Sequence, residues 1–147
     1  MAKKSILALV TAFLSILAII FIGCSSVTPA PEVKITSLSP VGLGGKDTIL
    51  TIVFESKNKV DAVITTQENT LVGPPPTNTV IIPNPEHFTL YIKGNTTTTL
   101  TMTFTNAGIA ALAASVGGSP TTLRMKFSGE DAYGYNKTFF DTCAVCF

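Results

Sequence analysis

The sequence predicts an all-β domain, an antiparallel sandwich of about seven to eight strands with one short helix. Three observations predict it. Apolar residues recur at every second position in segment after segment, the period of a strand with one face buried. Clusters of proline, glycine and asparagine separate those segments at short intervals. Charged residues make up only 13% of the chain, against about 25% in ordinary soluble domains. Threonine supplies surface polarity instead, and its branched Cβ suits a pleated strand.

Residues 33–147 carry this pattern. "VKITSL" sets Val33, Ile35 and Ser37 against Lys34, Thr36 and Leu38, until Pro40 and "GLGGKD" interrupt it. "TILTIVFES" puts Leu50, Ile52 and Phe54 on one face and Ile49, Thr51, Val53 and Glu55 on the other. Apolar residues on both faces mark a central strand. After a turn at "KNK", Val60, Ala62 and Ile64 alternate with Asp61, Val63 and Thr65. "GPPPTN" is a hard stop, because its prolines fix φ and remove backbone donors. "TVII" follows and ends at Pro83 and Pro85. "FTLYIKG" sets Phe88, Leu90 and Ile92 against Thr89, Tyr91 and Lys93.

In "TTTTLTMTFTN", Leu100, Met102 and Phe104 oppose Thr99, Thr101, Thr103 and Thr105, a half-buried strand with a hydroxyl-covered solvent face. "NAGIAALAASVGG" changes period. Asn106 as N-cap, Ile109 and Leu112 on one face, and Gly117-Gly118 as a stop predict a helix over 107–115. Leu123, Met125 and Phe127 then alternate with Arg124 and Lys126. A turn of Gly, Asp and Asn leads into a final strand from about Tyr135 to Val145.

The last two segments, "LRMKFSGEDAYGYNKTFF", resemble the closing hairpin of immunoglobulin-like and fibronectin-III-like modules of exported bacterial proteins. As a strand pattern the resemblance covers residues 33–145, and a short helix before the last hairpin is common in such modules. It implies an immunoglobulin-like β-sandwich. The core tryptophan and inter-sheet cysteine pair of antibody-type domains are missing.

Residues 1–23 are of another kind. Lys3 and Lys4 precede the run Ile6 to Ile22, which has no charge and only Thr11 and Ser15 as polar breaks. A positive start, an apolar stretch and then Gly23 read as an export signal, an N-terminal hydrophobic signal helix. "FIGC" resembles the lipobox of bacterial lipoproteins. The resemblance implies cleavage after Gly23 and a diacylglycerol on Cys24, with residues 24–32 as the lipidated cysteine and a flexible tether containing Pro29 and Pro31. A second reading is an uncleaved transmembrane helix, since residues 6–22 are near the short limit of a span. Under both, Lys3 and Lys4 stay in the cytoplasm and the domain lies outside it. The expectation is an exported, membrane-anchored domain, on the outer membrane or the outer face of the cell membrane.

Without residues 1–23 the chain has eight Lys and Arg against nine Asp and Glu. That balance excludes a nucleic-acid binder, which needs a clustered positive surface. Cys143-Ala144-Val145-Cys146 is a C-x-x-C pair, open to three readings. A local disulfide needs a turn at Ala144-Val145, because in an extended strand the Cα atoms sit ~10 Å apart. Free or intermolecular thiols are the second reading, and metal or redox chemistry the third. No helix can start at the motif to stabilise a thiolate, since Phe147 alone follows. His87 is a lone surface histidine that leaves a serine triad without a base. Glu130, Asp131 and Asp141 lack calcium-loop spacing, and turn chemistry accounts for them. Glu130, Asp131, Tyr133 and Tyr135 form a candidate contact loop, tyrosine bringing contact area at low entropy cost; the equal alternative is that Tyr133 or Tyr135 faces the core.

These features predict no enzyme and no cofactor or metal. They point to a non-enzymatic binding or assembly module of the cell envelope. Its partners are the membrane, through an N-terminal lipid, and a protein or envelope component met by membrane-distal loops or a strand edge. The alternatives are an exported redox or metal-handling accessory using Cys143 and Cys146, or a subunit of a surface filament or envelope complex.

Overall fold

The computed structural model describes residues 29–44, 46–73, 79–81, 86–115 and 122–147. The signal segment 1–23, Cys24, the prolines of "GPPPTN", Pro83, Pro85 and Gly117-Gly118 lie outside them. The elements run β1 Val33–Ser39, β2 Thr48–Ser56, β3 Ala62–Val72, β4 Thr79–Ile81, β5 Glu86–Ile92, β6 Thr97–Phe104, α1 Asn106–Ser115, β7 Thr122–Asp131 and β8 Thr138–Cys146. They form two antiparallel sheets. One has the order β1-β2-β6, so β2 is central as its two-sided apolar pattern predicts. In the other, β7 lies between β3 and β8. β5 pairs with Ala62 to Gln67 and β4 with Thr70 to Val72, so these two short strands share the remaining edge of β3 end to end.

The core lies between the sheets. Leu50, Ile52 and Phe54 from β2 meet Ala62, Ile64, Leu71, Leu123, Met125, Phe127 and Val145 from the other sheet. Phe54 packs edge-on against Phe127 across the interface, with ring centroids 5.1 Å apart and planes at 81°. Phe88 approaches Phe127 edge-on from a third strand, at 6.4 Å and 88°. These are favoured quadrupole geometries. They place aromatic bulk at the centre of a domain that has neither tryptophan nor inter-sheet disulfide. In β6, Leu100, Met102 and Phe104 are only half-buried, because β6 is an edge strand.

Two bulges alter the predicted alternation. In β1 the pairing with β2 shifts between Ile35 and Ser37. An extra residue reverses which side chains face inward, so Leu38, not Ser37, packs on the core. In β3 the register shifts between Ile64 and Thr66 against both neighbours. Even-numbered Ala62 and Ile64 are buried before it, odd-numbered Gln67 and Leu71 after it. Gly129 faces this bulge. A Cβ there would stand 2.2 Å from the Val63 carbonyl oxygen and 2.8 Å from the Phe139 ring, so only glycine admits the approach.

The helix begins at Asn106, one residue before its predicted start, and its cap is Thr105 rather than Asn106. The Thr105 hydroxyl accepts the Gly108 N–H at 3.1 Å and its carbonyl accepts the Ile109 N–H at 2.9 Å, the two bonds of an N-cap residue. The Asn106 N–H is taken by the Asp47 carboxylate at 2.7 Å. The last strand begins at Thr138, three residues after its predicted start, because Tyr135 belongs to the turn.

Phe127→Ala should cost about 3–5 kcal/mol, the range for emptying a buried aromatic site. Phe140→Ala, on the outer face of β8, should stay within about 0.5 kcal/mol. Denaturant unfolding of the two variants checks both values.

Candidate functional site at the loop end of the sandwich

The chain enters the domain at one end, and the contacts there start from the loop between β2 and β3. Pro31 is buried. The Ala30 carbonyl accepts the Asn58 side-chain amide at 2.8 Å, and the Glu32 carbonyl accepts the Lys57 N–H at 2.8 Å. The same loop holds the β5–β6 turn. The Asn58 carbonyl accepts the Asn95 N–H at 2.8 Å, and the Ser56 N–H reaches the Thr96 carbonyl at 3.0 Å. Backbone meets backbone here. A Cβ on Gly94 would lie 2.4 Å from the Lys59 carbonyl carbon.

Asp61 joins this loop to two others. Its carboxylate accepts the Gly94 N–H at 2.7 Å and the Tyr91 hydroxyl, while its own carbonyl accepts the Ala132 N–H at 2.9 Å. The Gly94 N–H, then the Tyr91 hydroxyl, hold its pKa below the ordinary 3.8 against the opposing effect of burial, and the nearby Tyr133 hydroxyl adds to the lowering. The Tyr91 hydroxyl is raised in turn, chiefly by its bond to Asp61.

Asp131 closes the β7–β8 turn from inside. Its side chain is buried, and it accepts the N–H groups of Tyr133 at 3.0 Å, Tyr135 at 3.0 Å and Lys137 at 2.8 Å. Burial alone would raise its pKa. The N–H bonds from Lys137, Tyr135 and Tyr133 outweigh that and lower it. Left-handed backbone at Gly134 (φ 79°) and Asn136 (φ 57°) completes the turn.

Of the four contact-loop residues predicted from sequence, Asp131 is thus an internal brace. Glu130 is exposed on β7, opposite Thr138. Tyr133 and Tyr135 are both exposed, their rings 6.4 Å apart. Tyr91 joins them at this end, and the sequence alone does not single it out. Its one signal was its place opposite Phe88, Leu90 and Ile92 in the alternation. The carboxylates considered for calcium do not converge. Asp141 lies well down β8, opposite Phe127, and accepts the Ile35 N–H at 2.7 Å and its neighbour Thr142 N–H at 2.9 Å. Among the described residues, no three of His, Cys, Asp and Glu group to hold a metal ion.

Cys143 and Cys146 lie at the opposite end, with no disulfide between them. Both thiols are free. The strand stays extended because its end is paired on both sides. Thr122 of β7 stands opposite Cys146, while on the other edge the Cys146 N–H donates to Val41 at 2.9 Å and its carbonyl accepts from Leu43 at 2.8 Å. A turn at Ala144-Val145 would break this pairing. Three residues apart in a strand, the side chains point to opposite faces: Cys143 packs on the core, and Cys146 is exposed. Burial, then Asp141, push the Cys143 thiol up to about 11.

His87 is exposed near the start of β5, beside an open groove of about 550 Å³ whose walls include Lys126, Glu130 and Phe140. The Lys126 ammonium stands 5.6 Å from the centre of the exposed Phe140 ring. Among the described residues no helix is long and apolar enough to cross a membrane.

Two outcomes follow from these environments. The lowered pKa values of Asp61 and Asp131 make their contribution to stability complete above about pH 5 and lost as pH falls below about 4. Thermal unfolding should therefore show a midpoint that drops below pH 4, and Asp131→Asn should unfold at lower temperature at pH 7 and lose part of that acid-dependent drop. For the thiols, timed alkylation at pH 8 read by peptide mass should label Cys146 quickly and Cys143 only slowly, a half-buried thiol at about 11 being almost wholly protonated there.

No family model matches the chain, and no curated protein matches it. Among solved structures, one described as a crystal structure of a protein from Archaeoglobus fulgidus is similar at 13% identity. The match covers 81% of this chain and 98% of that one, with a TM-score of 0.35.

Proposed function

We propose that this protein is an exported lipoprotein whose residues 33–147 form an immunoglobulin-like module of the fibronectin-III kind, serving as a non-enzymatic binding or assembly unit of the cell envelope. The strand orders β1-β2-β6 and β4/β5-β3-β7-β8, with a helix between β6 and β7, support the immunoglobulin-like reading. One observation carries the anchoring. The chain meets the domain at a fixed point, Ala30 bonded to Asn58, six residues after a Gly23-Cys24 pair that closes a charge-free apolar run. Such a run followed by a short link is what a membrane-anchored domain requires.

The redox alternative draws less support from the surroundings of Cys143 and from the pairing of β8. Cys143 is pushed up rather than down, and the pair cannot close without unpairing β8.

Intact-mass measurement of the protein extracted from bacterial membranes should show loss of residues 1–23 and a diacylglycerol on Cys24. Cys24→Ser should accumulate as a full-length precursor that takes up no labelled fatty acid. A wild-type chain retaining Met1 and an unmodified Cys24 would replace the lipid anchor with a transmembrane one.

A further inference from the structure

The strongest pattern left over is the placement of tyrosine. The chain has three tyrosines and no tryptophan. All three, Tyr91, Tyr133 and Tyr135, lie at the loop end, and they are 53%, 55% and 46% exposed. This is also the end where the chain enters, since Asn58 bonds to Ala30 on one side and to the β5–β6 turn on the other.

We propose that this end rests on the bilayer, with the tyrosine rings at the boundary between lipid headgroups and acyl chains. The inference rests on the N-terminal anchoring proposed above and adds an orientation to it. Reach is the first argument. Ala30, the pinned residue, is six positions after Cys24, and six extended steps span at most about 21 Å. A lipid on Cys24 therefore keeps Asn58 and the loops bonded to it close to the headgroup layer. Chemistry is the second. Tyrosine pairs an apolar ring with a polar hydroxyl, and it is enriched at membrane interfaces for that reason.

The charges are compatible with this contact but do not drive it. Lys57, Lys59, Lys93 and Lys137 all sit in loops at this end. Long lysine stems let the ammonium reach headgroup phosphates. The carboxylates of Asp61 and Asp131 are turned inward onto backbone N–H groups. Lys57 is paired with Glu55, and Glu32 and Glu130 remain exposed. The charges nearly balance, so the rings supply the attraction and contact is insensitive to salt.

The absence of tryptophan makes the test direct. Tyr135→Trp gives one emitter at the loop end, and Ile49→Trp gives one on the exposed start of β2, at the opposite end. Each full-length, anchored variant is reconstituted as the sole protein in phosphatidylethanolamine and phosphatidylglycerol vesicles, some carrying bromine on the upper acyl chain. The reporter at position 135 should be quenched by brominated lipid several-fold more than the reporter at 49. It should be shielded from aqueous acrylamide, with no change between low and high salt. Tyr133→Trp repeats the measurement should the first variant fail to fold. Vesicles that float with the protein attached, yet show position 135 open to acrylamide and untouched by bromine, overturn the orientation and leave the anchoring standing. Shielding from acrylamide without bromine quenching means that a second copy covers the tyrosines, and also overturns it. Protein that does not float with the vesicles overturns both readings.

Discussion

Aspartate carboxylates turned onto backbone N–H groups hold this domain in shape. The described chain has four aspartates, and each accepts such a bond. Asp47 takes the first N–H of α1, Asp61 that of Gly94, Asp131 three from its own turn, and Asp141 that of Ile35. Bonds of this type join a charge to a donor that would otherwise need water, and they are stronger than neutral ones. In a chain with few charges they decide where the loops go. Asp61 shows the dependence best. It fixes the β5–β6 turn through Gly94 and the ring of Tyr91 through its hydroxyl, while its carbonyl fixes the start of the β7–β8 turn. Asp131 then sets the path of that turn, and with it the two tyrosines that project from it.

The seams of the sandwich follow the same economy. A two-sheet fold has exposed strand edges, each a template for unwanted pairing. Here the β1 and β8 edges approach one another. Asp141 crosses from β8 to the Ile35 N–H, and Val41 to Leu43 bond to the far end of β8. One side of the sandwich is thus closed by side chain and loop rather than by a continuous ladder. Between the sheets, Phe54 and Phe127 take the central place, with Phe88 behind them. Aromatic edge-to-face contact needs no matched cysteine pair and no indole donor to satisfy.

Much of this was legible in the sequence, because period two survives wherever a strand is regular. Leu50, Ile52 and Phe54 are buried, as are Leu123, Met125 and Phe127, and the threonine-covered face of β6 is exposed. What was hidden depends on contacts between distant residues. The inward turn of Leu38 follows from a bulge set by pairing with β2, and the shift from Ile64 to Gln67 from one matched by Gly129. Thr105 displaced Asn106 as the cap because the chain leaves β6 one residue earlier than its polarity suggests. Of the candidate site, the sequence left open whether one of Tyr133 and Tyr135 faces the core, and both are exposed. The inward turn of Asp131 was not separable from exposure by composition, since Asp and Gly serve turns either way. Tyr91 reads as an ordinary outward strand residue until the topology brings it beside Asp61. The fate of C-x-x-C hung on whether residues 41–43 would bond to the strand end, which no local pattern records.

Topology also divides the molecule into two ends with different contents. The β2–β3 loop, the β5–β6 turn and the β7–β8 turn gather at the end where Ala30 is pinned. The other end holds α1, residues 40–44 and 46–47 and the two cysteines, with Val41 and Ile49 exposed there. With an anchor at Cys24 the first end is near the membrane and the second is remote from it. A partner met away from the membrane therefore finds threonine, a short alanine-rich helix and isolated aliphatic side chains. The tyrosine turn is the opposite case. Its residues are those an interface favours, but they stand at the end where the chain enters, which a lipid on Cys24 would hold near the bilayer. Composition alone would have assigned this turn to partner recognition. Under the anchoring proposed above, the hydrogen bond from Asn58 to Ala30 is what puts it on the membrane side, because it shortens the free link after Cys24 to five residues.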